Sequence, residues 1–502
     1  MSSAAPGTRF EKALFIVPPA RVNKSNSTYY PPLGILYIAA TLEANGIEAD
    51  VFDASVDNPP NVRILDEIRR RRPQMIGLTC TTHSRFEMRD LVNDIKRDFP
   101  ATFVVVGGPH VTFCPEETLR YTAADAVVIG EGEIKTLALC QGAPMAQIPG
   151  LAWRNGAEIV VNPEKGFIED LNTLPSPARY KVDMDRYPGY STLKRRTTHI
   201  LSNRGCPFGC LYCSATFFWG KTTRSLSAEK VLAEIDDLVK NYGIRAVYFY
   251  DDAFTTDKKK ARAVCEGLIE RKHDLIWGTS TRIDLVDEET LELLARAGCR
   301  QVDFGLETLN PAAQKQVGTK ATFERARRTI RTARKAGIKH VKVYLIIGLP
   351  GDDPRSMRET FAKTISTMVS EVSTQVLRIY PGTRLEKLAR ERGMLNENFS
   401  WYDEFTDGWS MFESVPIYRE WPQEILEAQY NFLSSYLRIS GAVRQRLPLI
   451  FQPMVAKLDA ALFRTITKFM KRFRNSSVTA TADSPARPAQ ETADAGAGAA
   501  CH

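Results

Sequence analysis

The stretch at residues 199–215, HILSNRGCPFGCLYCSA, decides how the rest of this chain is interpreted. It places Cys206, Cys210 and Cys213 in the spacing Cys-x3-Cys-x2-Cys, in one tight loop that follows a short apolar strand. Three thiolates in such a loop can each bind one iron of a four-iron, four-sulfur cluster, because soft sulfur ligands suit iron–sulfur sites. The fourth iron then has no protein ligand and stays open to a small chelating molecule.

A zinc site and three unrelated buried cysteines are the two alternatives to a cluster. Zinc usually requires a fourth Cys or His at a matching spacing, and none follows closely in the chain. We therefore interpret the three cysteines as cluster ligands.

The cysteine spacing, with Tyr212 directly before the last cysteine, resembles the radical S-adenosylmethionine (SAM) superfamily. In that family the open iron binds the amino and carboxylate groups of SAM, and an electron from the cluster cleaves SAM to methionine and a 5′-deoxyadenosyl radical. The resemblance implies that Cys206, Cys210 and Cys213 are catalytic metal ligands and that Tyr212 is a cofactor-binding residue. It also implies a flavodoxin- or ferredoxin-type protein as the electron donor.

The bulk composition is ordinary for a soluble globular protein, and the length of 502 residues predicts about three domains. The net charge of +8 is spread along the chain, so we expect no nucleic-acid partner. The first residues lack an apolar core and no apolar run is long enough to span a bilayer, which favours a cytoplasmic protein. Nine cysteines in a chain of this length do not form a disulfide framework.

The N-terminal third alternates short apolar runs with helical patterns. Strands are predicted at 13–19, 48–54, 75–81, 103–108 and 126–130. This alternation predicts an α/β, doubly wound, Rossmann-like parallel sheet over residues 1–145, with its ligand crevice at the carboxyl ends of the strands.

The predicted strand ends carry glycines, which allow close backbone approach to a bulky ligand, and hydroxyl and charged residues, which offer hydrogen bonds. The candidate cofactor-binding residues there are Tyr30, Pro32, Thr79, Thr81, Thr82, His83, Gly107, Gly108, His110, Glu131, Gly132 and Glu133.

The hydroxyl residue after the third strand and the Gly-Gly pair after the fourth resemble the cobalamin-binding domain. That resemblance implies cobalamin as a cofactor. The loop after the first strand contains no histidine, so the lower cobalt ligand that many cobalamin proteins take from this loop is missing. His83 and His110 stand at other strand ends, although a loop histidine is more often a local hydrogen-bonding residue. No Gly-x-Gly-x-x-Gly fingerprint supports a nucleotide-binding or response-regulator domain instead.

Residues 146–195 are predicted to form a connector that begins with a hairpin turning at Asn155 and Gly156. Strand and helix patterns then resume over 196–390. Further strands are predicted at 246–252, 275–283, 301–308, 341–351 and 374–383. Six strand–helix units indicate a partial (β/α)6 barrel of the TIM type, with its chemistry at the carboxyl ends of the strands.

Strand ends of the predicted barrel supply candidate SAM-binding residues. These are Asp251, Asp252, Ser280, Arg282, Glu307 and Gly348. Arg282 suits the SAM carboxylate by bidentate pairing and Glu307 suits the amine or the ribose hydroxyls, while a structural ion pair between the two is the alternative. The phrases FGLET at 304–308 and YLIIGLPG at 344–351 resemble SAM-contacting segments of the radical SAM family.

The C-terminal part is predicted to form a small helical cap over 391–475, followed by a disordered tail at 476–502. Within the cap, residues 457–474 have the pattern of a basic amphipathic helix. Such a helix either docks on the protein or lies on an anionic membrane surface, and the second case would place the protein at the inner membrane as a peripheral protein.

The order of the two predicted cofactor domains resembles the cobalamin-dependent radical SAM family. The resemblance implies a methyltransferase that moves a methyl group from SAM, via methylcobalamin, to an unactivated carbon through a 5′-deoxyadenosyl radical. The substrate would be a small molecule or a lipid such as a hopanoid. A radical cyclase or ring-forming oxidoreductase with the same cofactors stays open, as does a non-catalytic cobalamin-binding sensor.

Overall fold

A computed structural model of the protein describes residues 8–19, 30–189, 191–367, 369–395 and 397–403. Most of the predicted C-terminal cap, the basic segment at 457–474 and the predicted tail at 476–502 lie outside these residues. Within the part of the chain that is described, no helix combines the length and the apolar character needed to cross a membrane.

The first sheet has seven strands, of which the first five in the chain are parallel and the last two antiparallel. The strands are β1 (Lys12–Val17), β2 (Glu48–Asp53), β3 (Met75–Thr79), β4 (Phe103–Gly107), β5 (Ala126–Val128), β6 (Leu151–Asn155) and β7 (Glu158–Val161). Their order is β2-β1-β3-β4-β5-β6-β7, so the order in which strands are added to the sheet reverses between β1 and β3. Ligands of doubly wound folds bind beside such a reversal, at the carboxyl ends of the strands.

Helices cover both faces of this sheet. They are α1 (Leu33–Glu43), α2 (Asn61–Arg71), α3 (Arg85–Asp98), α4 (Pro109–Phe113), α5 (Pro115–Tyr121) and α6 (Glu133–Cys140). The side chains of α1 and α6 pack in one hydrophobic core, and those of α2, α3 and α5 pack in another on the opposite face. The predicted doubly wound parallel sheet is therefore confirmed.

The hairpin predicted at Asn155 and Gly156 belongs to the first sheet rather than to a separate connector. Strand β6 pairs antiparallel with β5, and Gly156 takes a left-handed conformation with φ of 63° at the turn. The short strand β5 would otherwise be an open edge, and the hairpin covers it. Residues from 164 to the barrel contain 3-10 turns, and the exact domain boundaries stay a prediction.

The second sheet is the predicted partial barrel, which is confirmed as six parallel strands. They are β8 (Thr197–Ile200), β11 (Ala246–Phe249), β12 (Ile276–Arg282), β13 (Cys299–Glu307), β14 (His340–Ile347) and β15 (Glu371–Val376). Their order is β15-β14-β13-β12-β11-β8, so β8 and β15 are its two edges. Two short strands, β9 (Asn203–Arg204) and β10 (Arg224–Ser225), form an antiparallel pair of their own after β8.

Eight helices accompany the described part of the barrel region. They are α7 (Ala215–Trp219), α8 (Ala228–Asn241), α9 (Lys258–Arg271), α10 (Glu288–Arg296), α11 (Pro311–Val317), α12 (Phe323–Lys335), α13 (Pro354–Ser366) and α14 (Arg384–Glu391). Side chains such as Ser227, Asp257 and Asp287 accept hydrogen bonds from backbone N–H groups in the first turns of α8, α9 and α10. These caps fix where each outer helix begins.

The last described residues of the chain fasten the barrel to the first sheet. The Glu117 carboxylate of α5 accepts a hydrogen bond from the Trp401 backbone N–H at 2.7 Å, and the Trp401 indole donates to Glu386 of α14 at 3.1 Å. The hydroxyls of Tyr402 and Thr118 lie 3.0 Å apart. These contacts hold the two sheets in one arrangement.

Candidate functional site

The three cysteines of the motif lie in the loop between β9 and α7, and each is partly accessible. The Cys213 N–H donates to the Cys210 carbonyl at 3.2 Å, and Gly205 has a φ of 98° at the start of the loop. Among the described residues, no three or more Cys, His, Asp or Glu side chains converge on one metal ion. A cluster would engage each of the three thiolates at a different iron, and three cysteines within eight residues fit that arrangement.

Arg282 lies at the end of β12 and points to the cluster loop. Its guanidinium Nη1 is 3.8 Å from the Cys210 Sγ, and the group packs over the Phe208 ring at 4.1 Å. Two further N–H groups donate to Asp284, at 2.9 and 2.7 Å. The bidentate pairing that the sequence suggests for the SAM carboxylate is therefore made with Asp284, and the positive charge lies beside the cysteine sulfurs.

Glu307 ends β13 in a left-handed conformation with φ of 64°, next to a shift in the β13–β14 register. Its carboxylate lies against the Tyr212 hydroxyl of the cluster loop. Burial raises the pKa of Glu307 to about 7, although Tyr212 and the Arg282 charge act in the opposite direction. The structure therefore brings Tyr212, Glu307 and Arg282 together, but Arg282 does not pair with Glu307.

The two neighbouring aspartates after β11 have different surroundings. Asp251 is buried and accepts hydrogen bonds from the backbone N–H groups of Ser202 and Asn203, at 2.7 and 3.1 Å. Asp252 is exposed, and desolvation and the Asp251 charge raise its pKa to about 6, while the Gly205 backbone acts to lower it. Asp251 thus holds the end of β8 in place, and Asp252 is the carboxylate free to meet a ligand.

Ser280 and Gly348 complete the predicted SAM-binding set at this end of the barrel. The Ser280 hydroxyl donates to the Asp251 carbonyl at 3.1 Å, and Gly348 follows β14 with φ of 87°. Ser280 therefore orders the aspartate pair, while the left-handed backbone at Gly348 favours glycine.

A cavity of about 220 Å³ lies beside the carboxyl ends of β1, β3, β4 and β5. Six of the predicted cofactor-binding residues line it: Thr79, Gly107, Gly108, Glu131, Gly132 and Glu133. Gly108 has a φ of 106°, and a Cβ there would lie 2.8 Å from the Cys80 carbonyl oxygen. A mostly apolar cradle with glycines at strand ends fits part of a large cofactor such as cobalamin.

Tyr30 and Pro32 lie outside the lining of this cavity. Pro32 precedes α1 as its N-cap residue. The Tyr30 ring packs against barrel residues His199 and Tyr250, with ring centroids 4.7 and 6.3 Å apart. Tyr30 thus belongs to the boundary between the first sheet and the barrel.

Thr81 and His83, which follow β3, each contact another side chain of the protein. Thr81 is exposed and forms reciprocal hydrogen bonds with Ser84 in a capping box. The His83 Nε2 lies 3.3 Å from the Tyr380 hydroxyl. Both residues therefore have partners within the protein.

His110 is enclosed rather than turned to the cavity. Its Nδ1 lies 3.2 Å from the Thr82 hydroxyl, and its ring packs against those of Trp401 and Tyr402 at 6.2 and 5.6 Å. Burial, with the Arg85 charge, lowers the pKa of His110 to about 3, so the ring is neutral.

Both halves of this site match known protein families. Residues 200–363 match the family model of the radical SAM superfamily, and residues 22–139 match that of the B12 binding domain. An uncharacterized methyltransferase of Pyrococcus horikoshii is 30% identical over 393 residues, which are 76% of this chain and 84% of the relative. The chain belongs to the cobalamin-binding radical SAM enzymes. The cofactors of this enzyme are therefore a four-iron, four-sulfur cluster, SAM and cobalamin.

Two further relatives of this radical SAM enzyme illustrate its range. An anaerobic magnesium-protoporphyrin IX monomethyl ester cyclase of Rubrivivax gelatinosus is 30% identical over 344 residues, 66% of this chain and 61% of the cyclase. The solved structure of the radical SAM methyltransferase TsrM from Kitasatospora setae, with tryptophan and a SAM analogue bound, aligns with a TM-score of 0.65. It is 22% identical and covers 76% of each chain, which shows a shared fold.

Sequence reasoning missed several side chains at the junction of the two cofactor regions of this radical SAM enzyme. Arg204, Phe218 and Trp219 reach the 220 Å³ cavity from the barrel side. Arg204 stands two positions before Cys206, and Trp219 ends the short helix after Cys213. Their closeness to the cysteine motif was the one signal available.

Proposed function

We propose that this enzyme transfers a methyl group from SAM, by way of cobalamin, to an unactivated carbon of a small-molecule substrate. The observation that carries the proposal is the shared wall of the two sites. Trp219, which lies on the short helix after Cys213, lines the cavity of the first sheet from the barrel side. A methyl donor held there and a radical source held at the cysteines would be neighbours, as methyl transfer to a substrate radical requires.

The residues of the chain would bind and orient the reactants. When bound, the cluster supplies an electron for cleavage of SAM, and cobalamin carries the methyl group. The Asp252 and Glu307 carboxylates suit the SAM amine or ribose, because each lies at a strand end near the cysteine loop. The Arg282 charge beside Cys210 would stabilise thiolate ligands.

A buried polar network lies inside the barrel. Asp303 is 1% exposed and accepts hydrogen bonds from the Tyr248 and Tyr344 hydroxyls, at 2.9 and 3.2 Å, and from the Gln301 amide at 2.9 Å. These tyrosines act as packing and hydrogen-bonding residues. We infer that the substrate approaches from the carboxyl ends of the strands, where Tyr250 is 60% exposed.

The substrate and the electron donor are each proposed from one feature of the chain. The basic amphipathic pattern at 457–474 favours a membrane-associated lipid such as a hopanoid over a freely soluble substrate. Exposed Arg384 donates to the Gly209 carbonyl of the cluster loop at 3.2 Å, and a positive charge there suits an acidic flavodoxin- or ferredoxin-type donor.

Ring formation without methyl transfer is the second candidate, and the likeness to the protoporphyrin ester cyclase favours it. It needs the same cofactors and differs only in the fate of the substrate radical. Products of SAM therefore separate the two candidates.

The experiment is anaerobic reconstitution with iron, sulfide and hydroxocobalamin, followed by mass spectrometry of SAM products under a low-potential reductant. Methyl transfer predicts 5′-deoxyadenosine together with S-adenosylhomocysteine, whereas ring formation predicts 5′-deoxyadenosine alone. Cys210→Ala is expected to abolish 5′-deoxyadenosine in either case. Persistent cleavage of SAM by that variant after loss of its cluster would contradict the proposed chemistry.

A further inference from the structure

Two buried arginines and two buried glutamates join the first sheet to the cluster loop. The Arg204 Nη1 lies 2.7 Å from the Glu131 Oε1, and its Nη2 lies 2.6 Å from the Glu133 Oε1. The Arg224 Nη1 lies 2.8 Å from the other oxygen of Glu131. All four side chains are at most 10% exposed, so the paired geometry must offset the cost of removing the charges from water.

Arg204 is also held between two aromatic rings that come from different sides of the junction. Its guanidinium lies 5.3 Å from the ring centroid of Tyr37 on α1 and 5.1 Å from that of Trp219 on α7. Tyr37 and Trp219 both line the 220 Å³ cavity, as do Glu131, Glu133 and Arg204 itself. A ligand in the cavity therefore meets both glutamates and both aromatic rings that hold this guanidinium.

The position of Arg204 in the chain connects the cavity wall to the cysteine loop. Arg204 lies two residues before Cys206, and α7, which ends at Trp219, begins two residues after Cys213. The two ends of the cysteine loop are thus parts of the cavity wall. Any displacement of that wall has to move the segments from which the cluster ligands project.

We propose that Arg204 couples cobalamin binding to cluster binding in this enzyme. A ligand in the cavity fixes Glu131, Glu133 and Trp219, these fix Arg204, and Arg204 holds the cysteine loop in its ligand-binding arrangement. The inference rests on the proposed function only in placing cobalamin in this cavity. Because coupling free energies are reciprocal, the cluster must strengthen cobalamin binding by the factor by which cobalamin strengthens cluster binding.

The test compares the affinity for hydroxocobalamin, followed by absorbance titration under anaerobic conditions, between protein with its cluster and protein stripped of iron by a chelator. We expect the cluster-loaded protein to bind hydroxocobalamin at least about fivefold more tightly. Arg204→Lys keeps the charge but loses the fork that joins both glutamates, so this ratio should fall to about one.

Arg179→Lys is the matched control. Arg179 pairs with Glu234 at 2.7 Å, and both are as deeply buried as the Arg204 partners, but neither lines the cavity. We expect this variant to keep the wild-type affinity ratio even if its stability falls.

Equal affinities in the two wild-type states would overturn the proposal, as would an unchanged ratio in Arg204→Lys. A purely structural role would weaken binding equally in both states and leave the ratio intact. If Arg204→Lys does not fold, Trp219→Leu tests the same coupling from the helix side. These titrations need no turnover, so a failure of methyl transfer in the product assay does not affect their outcome.

Discussion

The Tyr212 hydroxyl of the cluster loop lies against the Glu307 carboxylate at the end of β13 and acts to lower its pKa. Glu307 has a φ of 64°, which is costly for a residue with a side chain. A Cβ at Gly305 would lie 2.8 Å from the Glu307 Oε1, so glycine two positions earlier leaves the carboxylate its space. A strained conformation with such support is typical of a residue held for binding.

We predict that Glu307→Gln weakens SAM binding to the cluster-loaded enzyme by about tenfold or more. A hydrogen bond to a charged group contributes about 1.5–3 kcal/mol. The glutamine amide is neutral, so it cannot form an ion pair with the SAM ammonium group. Anaerobic equilibrium dialysis with labelled SAM measures the effect. Glu371→Gln, at the start of β15 on the opposite end of the barrel, is the control and should leave SAM affinity unchanged.

We predict that Gly108→Ala removes most cobalamin binding. Its Cβ would lie 2.8 Å from the Cys80 carbonyl oxygen and 2.9 Å from the Thr79 Oγ1, so the cavity wall must shift. Gly46→Ala is the matched control, because Gly46 also has a positive φ but no atom within 4 Å of the added carbon. Both variants should lose about 1–2 kcal/mol of stability from the left-handed backbone.

Absorbance titration with hydroxocobalamin distinguishes these two glycine variants. We expect a loss of affinity of more than about tenfold for Gly108→Ala alone. Equal affinities in the two variants would mean that the cofactor does not use this cavity.

The contact between Tyr402 and Thr118 should contribute measurably to the stability of the whole molecule. Their hydroxyls are buried and 3.0 Å apart, and a buried hydrogen bond contributes about 1 kcal/mol. We expect Tyr402→Phe and Thr118→Val each to lower the thermal midpoint, and the double variant to lower it by less than the sum. Strict additivity in this double-mutant cycle would show that the two hydroxyls do not interact.

The start of β15 should contribute to acid sensitivity. Burial would raise the pKa of Glu371, but His340 and Lys342, at 3.2 Å each, outweigh it and lower the pKa to about 2 from its ordinary 4.5. The ionised form is therefore favoured in the folded state, and this stability is present above pH 4.5 and lost as the pH falls toward 2.

Thermal unfolding between pH 6 and pH 3 tests this expectation by comparing the wild type with Glu371→Gln. The advantage of the wild type should be on the order of 2 kcal/mol at pH 6 and should shrink below about pH 4.5. A difference that stays constant with pH would contradict the assignment.

The strand and helix order could be predicted because buried parallel strands and amphipathic helices leave local periodic patterns in the sequence. The cysteine loop could also be predicted, because its three ligands lie within eight residues of the sequence. Both signals are local, and both led to the cofactors of this enzyme.

Contacts between segments that are distant in the chain could not be predicted from such local patterns. Glu131 and Glu133 were expected to meet a cofactor, and the structure pairs them with Arg204, which is 73 and 71 positions away. His110 is enclosed by Trp401 and Tyr402 from the far end of the described chain. Asp284, in contrast, is only two positions from Arg282, and that local pair could have been found.

The hairpin of β6 and β7 determines where this chain could be divided. Strand β6 hydrogen-bonds to the free side of β5, and the Gly150 N–H donates to the Pro163 carbonyl at 3.2 Å. A fragment that stopped at residue 145 would leave the β5 edge facing water, where unpaired backbone groups recruit strands from other molecules and drive aggregation. A soluble fragment built on the first sheet must therefore extend at least through Pro163.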